Sequence, residues 1–258
     1  MILLRLAAIA VLGFLIAPMV VVIAMSFSAT EVLRFPPTGL STRWYEALAA
    51  DPRWLLAARN SVLVAGAVTA LATVLGTLAA LGLHLGRFRG KAVLAAVFAM
   101  PIVTPYIVTA ASMFLAFSAI GIAGGFVGLV LAHTVIAVPF VVLTVAAALR
   151  TFDANLLRAA ASLGAPPATA FRRVVVPAIW PGIAAGAVFA FATSLDEFVI
   201  TLFMAGPGQF TLPRQMYAAV REYLSPTILA AATLLFVAST GFLLATEALR
   251  LRAARRAR

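Results

Sequence analysis

Apolar residues run through this chain in long blocks, without the alternating or one-faced patterns of a water-soluble domain. A bilayer's hydrocarbon core of about 30 Å needs about 20 helical residues at about 1.5 Å each. The blocks predict six membrane-spanning helices, over residues 6–27, 61–83, 92–118, 126–149, 178–204 and 227–249. The first follows Arg5 and is longer than the roughly 7–15 residues of a secretory-signal core, so it is expected to be retained as a span. Pro101 and Pro105 fall inside the third block and Pro139 inside the fourth. Each removes a donor, frees a carbonyl and permits a bend.

Two stretches between the blocks are long enough to have structure of their own. Residues 28–60 carry Trp44, Tyr45 and Trp54, which suit a short helix lying at the outer membrane interface. Residues 150–177 are punctuated more sharply. Asp153 can accept bonds from the first amides of a helix starting at Ala154, and Gly164 followed by Ala165, Pro166 and Pro167 supplies a left-handed stop. Leu156, Leu157, Ala160, Ala161 and Leu163 share one arc of that helix, with Asn155, Arg158 and Ser162 on the other. Pro167 suits the first turn of a second short helix containing Phe171, Arg172 and Arg173, which Pro177 is expected to end at the membrane. The result is a compact helical knob. By its residues alone it fits either the grip of a partner protein or a bed of lipid headgroups, with Arg172 and Arg173 on phosphate.

Composition narrows the class. Of 258 residues 64% are hydrophobic and 10% charged, and the mean hydropathy is +1.11, which excludes a soluble enzyme. The absence of cysteine removes disulfides, thiolate metal sites and a cysteine nucleophile, and the two histidines, His84 and His133, give no basis for a metal centre. The net charge of +11 comes from dispersed basic residues, which points to anionic lipid and membrane orientation and not to nucleic acid. Thirteen of the 19 Lys and Arg fall on one side of the predicted spans: Arg5, the group Arg87, Arg89 and Lys91, four in residues 150–177, and five after residue 249. The other six, Arg34, Arg43, Arg53, Arg59, Arg214 and Arg221, fall on the opposite side. The asymmetry predicts that both termini and the 150–177 knob are cytoplasmic. We read an all-α polytopic membrane protein with one domain over residues 1–258.

Arg158-Ala159-Ala160, Gly164, Val174, Val176 and Pro177 together resemble the signature loop of binding-protein-dependent ATP-binding cassette (ABC) importers, in which Glu-Ala-Ala is followed by Gly and, after nine residues, Ile-x-Leu-Pro. The Ala pair, Gly and Pro are in register. Arg158 stands where Glu is usual, and Val174 and Val176 stand for Ile and Leu. Phe88-Arg89-Gly90-Lys91, Pro101 with Pro105, Val138-Pro139-Phe140-Val141-Val142-Leu143-Thr144, Ser194-Leu195-Asp196-Glu197-Phe198-Val199-Ile200-Thr201, Gly206-Pro207-Gly208 and Thr211-Leu212-Pro213 further resemble the permease subunits of spermidine/putrescine importers. The resemblance implies the type I importer permease fold and a bacterial inner-membrane location. It also implies a second permease subunit, two cytoplasmic ATPase subunits gripping the 150–177 loop, and an extracytoplasmic substrate-binding protein. Asp153 joins the signature residues as the coupling loop. No phosphate-binding Gly-x-x-x-x-Gly-Lys-Ser/Thr motif occurs, so ATP and Mg²⁺ are expected on the partner ATPase and no cofactor on this chain.

Asp196 and Glu197 lie inside the fifth block without a countercharge in their own helix. An intramembrane carboxylate costs at least about 2.5 kcal/mol, so each should face a cavity or a partner. Adjacent helical residues point 100° apart. We favour Asp196 as lining the solute path, with Glu197, Phe198 and Tyr106 beside it, since carboxylates and aromatic faces suit an ammonium group. The alternative is that one or both cap broken backbone or pair with a partner subunit. His133 is expected to be a hydrogen-bonded structural residue, and Glu247 to pair with Arg250. Rival readings are an importer for another solute (an amino-acid derivative, opine, thiamine or iron carrier) and an ion-coupled secondary transporter. The second is disfavoured by the signature loop and by an expected lack of a broken-helix pair in corresponding halves.

Overall fold

The structure, a computed structural model, describes residues 2–222 and 225–256, and its regular elements are helical. In chain order they are α1 (Ile2–Ser26), α2 (Arg43–Ala50), α3 (Pro52–Leu85), α4 (Lys91–Val103), α5 (Tyr106–Ala119), α6 (Phe126–Arg150), α7 (Asn155–Ser162), α8 (Pro167–Ala170), α9 (Val176–Asp196), α10 (Val199–Met204), α11 (Leu212–Glu222) and α12 (Thr227–Arg256). Five helical segments are long and apolar enough to cross a membrane, and a sixth span results if the bent pair α4 and α5 is counted as one. The side chain of Arg250, expected partner of Glu247, lies outside the described residues.

The predicted spans are corrected in three places. The second begins at Pro52, nine residues early: Pro suits a first helical position, whose amide has no intrahelical acceptor, and Asp51 just before it accepts the Arg53 N–H at 2.9 Å. Trp54 is therefore in the first turns of α3 and not on the short helix with Trp44 and Tyr45. The third block is two helices bent by 110° at Thr104-Pro105. Pro105 disfavours helical backbone at Thr104, which is extended, whereas α4 and α6 continue through Pro101 and Pro139. The fifth block breaks at Glu197-Phe198, which separates α9 from α10.

Nor does Pro177 end a helix. α8, a π-turn at Phe171–Val175 and α9 form one run from Pro167 to Asp196. The amide of Val176 reaches back to the carbonyl of Phe171, a wider step than in an α-helix. This extra residue in the turn lies just ahead of Pro177, whose ring would crowd the carbonyl four residues back in a regular helix.

Contacts divide the chain into two compact units. The first comprises residues 1–58 and 211–245. Within it, Trp54 is buried with Ala219, Ile228 and Ala231, against Leu48, Leu212 and Met216. The loop after α1 is tied down by Trp44 Nε1 donating to the Ser28 carbonyl (2.6 Å) and by Ser26 Oγ bonded to the Tyr45 hydroxyl (2.6 Å). Large apolar side chains of α1 such as Leu3, Phe14 and Leu15 are exposed on this chain.

The second unit comprises residues 59–210 and 246–258. Its core is α6, buried along most of its length, against α9, α10 and the 59–85 part of α3. α6 and α9 approach closely because α9 offers Gly182 and Gly186, one turn apart on one face. A Cβ at Gly182 would lie 2.7 Å from Ala148 Cβ, and one at Gly186 would lie 2.7 Å from Thr144 Oγ1 and 3.0 Å from Val141 Cα. The same unit holds both the knob and the α9–α10 break.

Candidate functional site

The knob is built as a small rigid body. Asp153 Oδ1 accepts the Asn155 N–H at 2.8 Å, and α7 starts at Asn155, one residue later than expected. At the other end Gly164 takes φ +75°. Its N–H donates to the Ala161 carbonyl (2.9 Å) while that of Ala165 donates to the Ala160 carbonyl (3.0 Å). This paired arrangement closes a helix with a left-handed residue and satisfies two carbonyls left open at its end. Pro166 is extended, and Pro167 opens the long run to Asp196.

Phe152 and Leu157 fasten the knob by packing against the core that contains Leu149 and Val175. The rest of α7 is uncovered. Leu156 is 49% and Leu163 88% exposed, and Arg158, Ala159 and Gly164 are also at the surface, with Ala160 half-buried. In the π-turn and after it, Val174 and Val176 are half-buried while Arg172, Arg173 and Pro177 face outward. The signature residues therefore form one continuous stretch: an exposed helix, its stop, and the root of the helix that leads to Asp196.

At the far end of that helix the two acidic residues part. Asp196 ends α9, is exposed on this chain, and makes no hydrogen bond or ion pair among the described residues. Glu197 is buried, and its carboxylate closes the N-terminus of α10: Oε1 accepts the Ile200 N–H at 2.8 Å and Oε2 the Thr201 N–H at 3.1 Å. Helix-start amides have no intrahelical acceptor, so a carboxylate there satisfies donors that lipid cannot. Tyr106, at the start of α5, lies within electrostatic reach of both carboxylates, and α5 packs on α10. Phe198 is the non-helical residue between Glu197 and α10. The structure thus brings the four proposed path residues to one locality and gives Glu197 a capping bond that Asp196 lacks.

The sequence reasoning did not join His133 to this place. His133 is fully buried on α6, with Nδ1 3.0 Å from Ser194 Oγ and Nε2 3.0 Å from Thr201 Oγ1 and 3.4 Å from Glu197 Oε2. Each ring nitrogen thus meets a hydroxyl that can donate or accept, and the Glu197 oxygen lies just beyond Nε2. Glu is not among the cap residues that mark a helix start in a sequence, and a distant histidine leaves no local trace there. The chain is interrupted between α4 and α5, where the bend is 110°, and between α9 and α10.

Comparison with known proteins places this arrangement. Residues 72–258 match the family described as binding-protein-dependent transport system inner membrane component. The chain is 35% identical over 238 residues to the spermidine/putrescine transport system permease protein PotC of Escherichia coli (strain K12), covering 92% of this chain and 90% of that one. It is 36% identical over 239 residues to the putrescine transport system permease protein PotI of the same organism, covering 89% and 85%. Among solved structures, a chain of the bacterial alginate ABC transporter in complex with alginate pentasaccharide-bound periplasmic protein superposes with a TM-score of 0.77 at 17% identity, covering 97% of this chain and 93% of that one. With the signature loop, the apolar helices and these relationships in agreement, the chain belongs to the binding-protein-dependent transport system inner membrane components, as a permease subunit of an ABC importer.

Proposed function

We propose that this permease carries a polyamine, spermidine or putrescine, inward across the bacterial inner membrane. The observation that carries the reading is the sequence identity to polyamine permeases over nine-tenths of the chain. An exposed Asp196 beside Tyr106 and Phe198 supports it, because a carboxylate and aromatic faces attract an ammonium without a tight cage. In this reading the solute arrives from an extracytoplasmic binding protein and passes between this chain and a second, related permease. The exposed apolar side chains of α1 meet that partner or lipid. Both termini and the knob are cytoplasmic in this reading, which the positive charge asymmetry supports.

Two ATPase subunits hold ATP and Mg²⁺ and seat on α7, whose Leu156 and Leu163 are apolar anchors without cover on this chain. Their closure pulls the knob. Because α7 leads through Pro166 directly into the run from Pro167 to Asp196, roughly 45 Å long by helical rise, movement at Gly164 is delivered to the path carboxylate. ATP must bind the outward-open state more tightly than the inward-open one, or the cycle has no direction. Arg158, in place of the usual Glu, calls for an acidic neighbour on the ATPase.

Uptake into proteoliposomes holding the assembled complex tests the substrate. Spermidine or putrescine should be accumulated with ATP in preference to thiamine, an amino acid or alginate fragments. Accumulation of a neutral or anionic compound with no polyamine uptake overturns the substrate reading. Uptake driven by an ion gradient without ATP overturns the coupling.

A further inference from the structure

Glu197, Ser194, Thr201 and His133 come from three helices and the break between two of them, yet their polar atoms meet at one buried point. His133 is on α6, the element with the most buried residues in its unit. Its ring spans the discontinuity: Ser194 lies in the last turn of α9 at 3.0 Å from Nδ1, and Thr201 lies in the first turn of α10 at 3.0 Å from Nε2. The third group, Glu197 Oε2 at 3.4 Å, is the carboxylate that caps α10. Ser194 and Thr201 are themselves buried, so none of these polar atoms has water as a substitute partner on the protein's own surface.

We infer that His133 is a positioning residue for transport, a clasp across the α9–α10 break that keeps Glu197 on the α10 amides and leaves Asp196 as the carboxylate presented to the solute. This rests on the proposed role of Asp196 in the path. Two adjacent carboxylates at a break could exchange roles, either one capping and the other facing outward. The clasp removes that freedom: His133 Nε2 holds Thr201 Oγ1 at 3.0 Å, Thr201 Oγ1 donates to the capping oxygen of Glu197 at 3.4 Å, and Nε2 itself lies 3.4 Å from that oxygen, whereas Asp196 has no bonded partner among the described residues. His133 does not touch the solute. It determines which residue does.

The test uses the complete complex and radiolabelled spermidine. H133A should raise the KM for spermidine about tenfold, with maximal uptake per assembled complex within about twofold of wild type. H133Q, whose amide reaches toward Thr201 and Glu197, should restore KM more fully than H133N, whose amide reaches only toward Ser194. An unchanged KM in H133A overturns the proposal, as does a loss of assembled complex in H133A, H133N and H133Q alike with normal KM in what remains. If H133A alone fails to assemble, T201V and S194A each remove one arm at nearly constant volume and should raise KM in the same direction; normal KM in both overturns the proposal.

The cysteine-free chain allows a reading that needs no solute. With Asp196→Cys as the only thiol, adding H133A should change its rate of modification by a charged methanethiosulfonate at least fivefold. An unchanged rate overturns the clasp. A wild-type complex that ignores spermidine would overturn only the substrate reading, with the labelling rate still deciding the role of His133.

Discussion

Neighbouring acidic residues meet opposite surroundings at the end of α9. Asp196 is exposed and without a bonded partner among the described residues, while Glu197 is buried with two backbone amides on its carboxylate. Asp196→Asn should therefore reduce spermidine uptake at least tenfold while the complex assembles and melts as wild type does; full uptake by that variant would show that the carboxylate has no part in the path. Glu197→Ala should act chiefly on stability, by about 1–2 kcal/mol, as loss of a helix cap does, and Glu197→Gln should recover part of it. Differential scanning of the purified complex separates the two. At Asp51, outside the spans, the Arg53 guanidinium holds the carboxyl below the usual aspartate range. A depressed pKa contributes stability above the unfolded value of about 3.9 and loses it as pH falls through the folded one. Any stability gap between wild type and Arg53→Ala should thus be present at pH 7 and vanish in strong acid, and it should be small because Arg53 is exposed.

Elements here are defined as much by their ends as by their apolar runs. Gly164→Pro would force φ from +75° to about −65° and delete the N–H that bonds the Ala161 carbonyl, so the knob would lose its stop while the spans remain. ATPase activity stimulated by loaded binding protein should fall to the unstimulated level in an assembled complex; normal stimulation would contradict a coupling role for this turn. Gly186→Ala would press a methyl against Thr144 and Val141 and should cost about 1–3 kcal/mol of α6–α9 packing, read as a lower melting temperature. The helix stop at Gly164 was legible because Gly-Ala-Pro-Pro has one good local solution. The six blocks were legible because lipid demands length. What escaped were the breaks: α9 and α10 are equally apolar, so hydropathy runs straight across Glu197, and the Asp51-Pro52 start signal was outweighed by the polar residues that follow it. The π-turn ahead of Pro177 and the meeting of His133 with Glu197 depend on tertiary contacts that no local pattern encodes.

At the scale of the whole molecule, charge and mechanics make one account. The proposed orientation, which thirteen basic residues against six favour, puts α7 on the side where ATP is available. Reporter fusions check it: a fluorescent protein after residue 258 should be bright, and alkaline phosphatase joined within residues 28–42 should be active; the reverse pattern would place the knob away from any ATPase. The chain belongs to an importer family, and in the proposed function the knob is the part through which energy enters it. The most direct measurement is a photo-crosslinking amino acid at Leu163, the most exposed large apolar residue of the knob, in the purified complex. An adduct with the ATPase subunit, its yield changing when ATP is added, is the result expected. Adducts with lipid alone, in a complex that still retains its ATPase, would contradict the claim that the motor grips this loop.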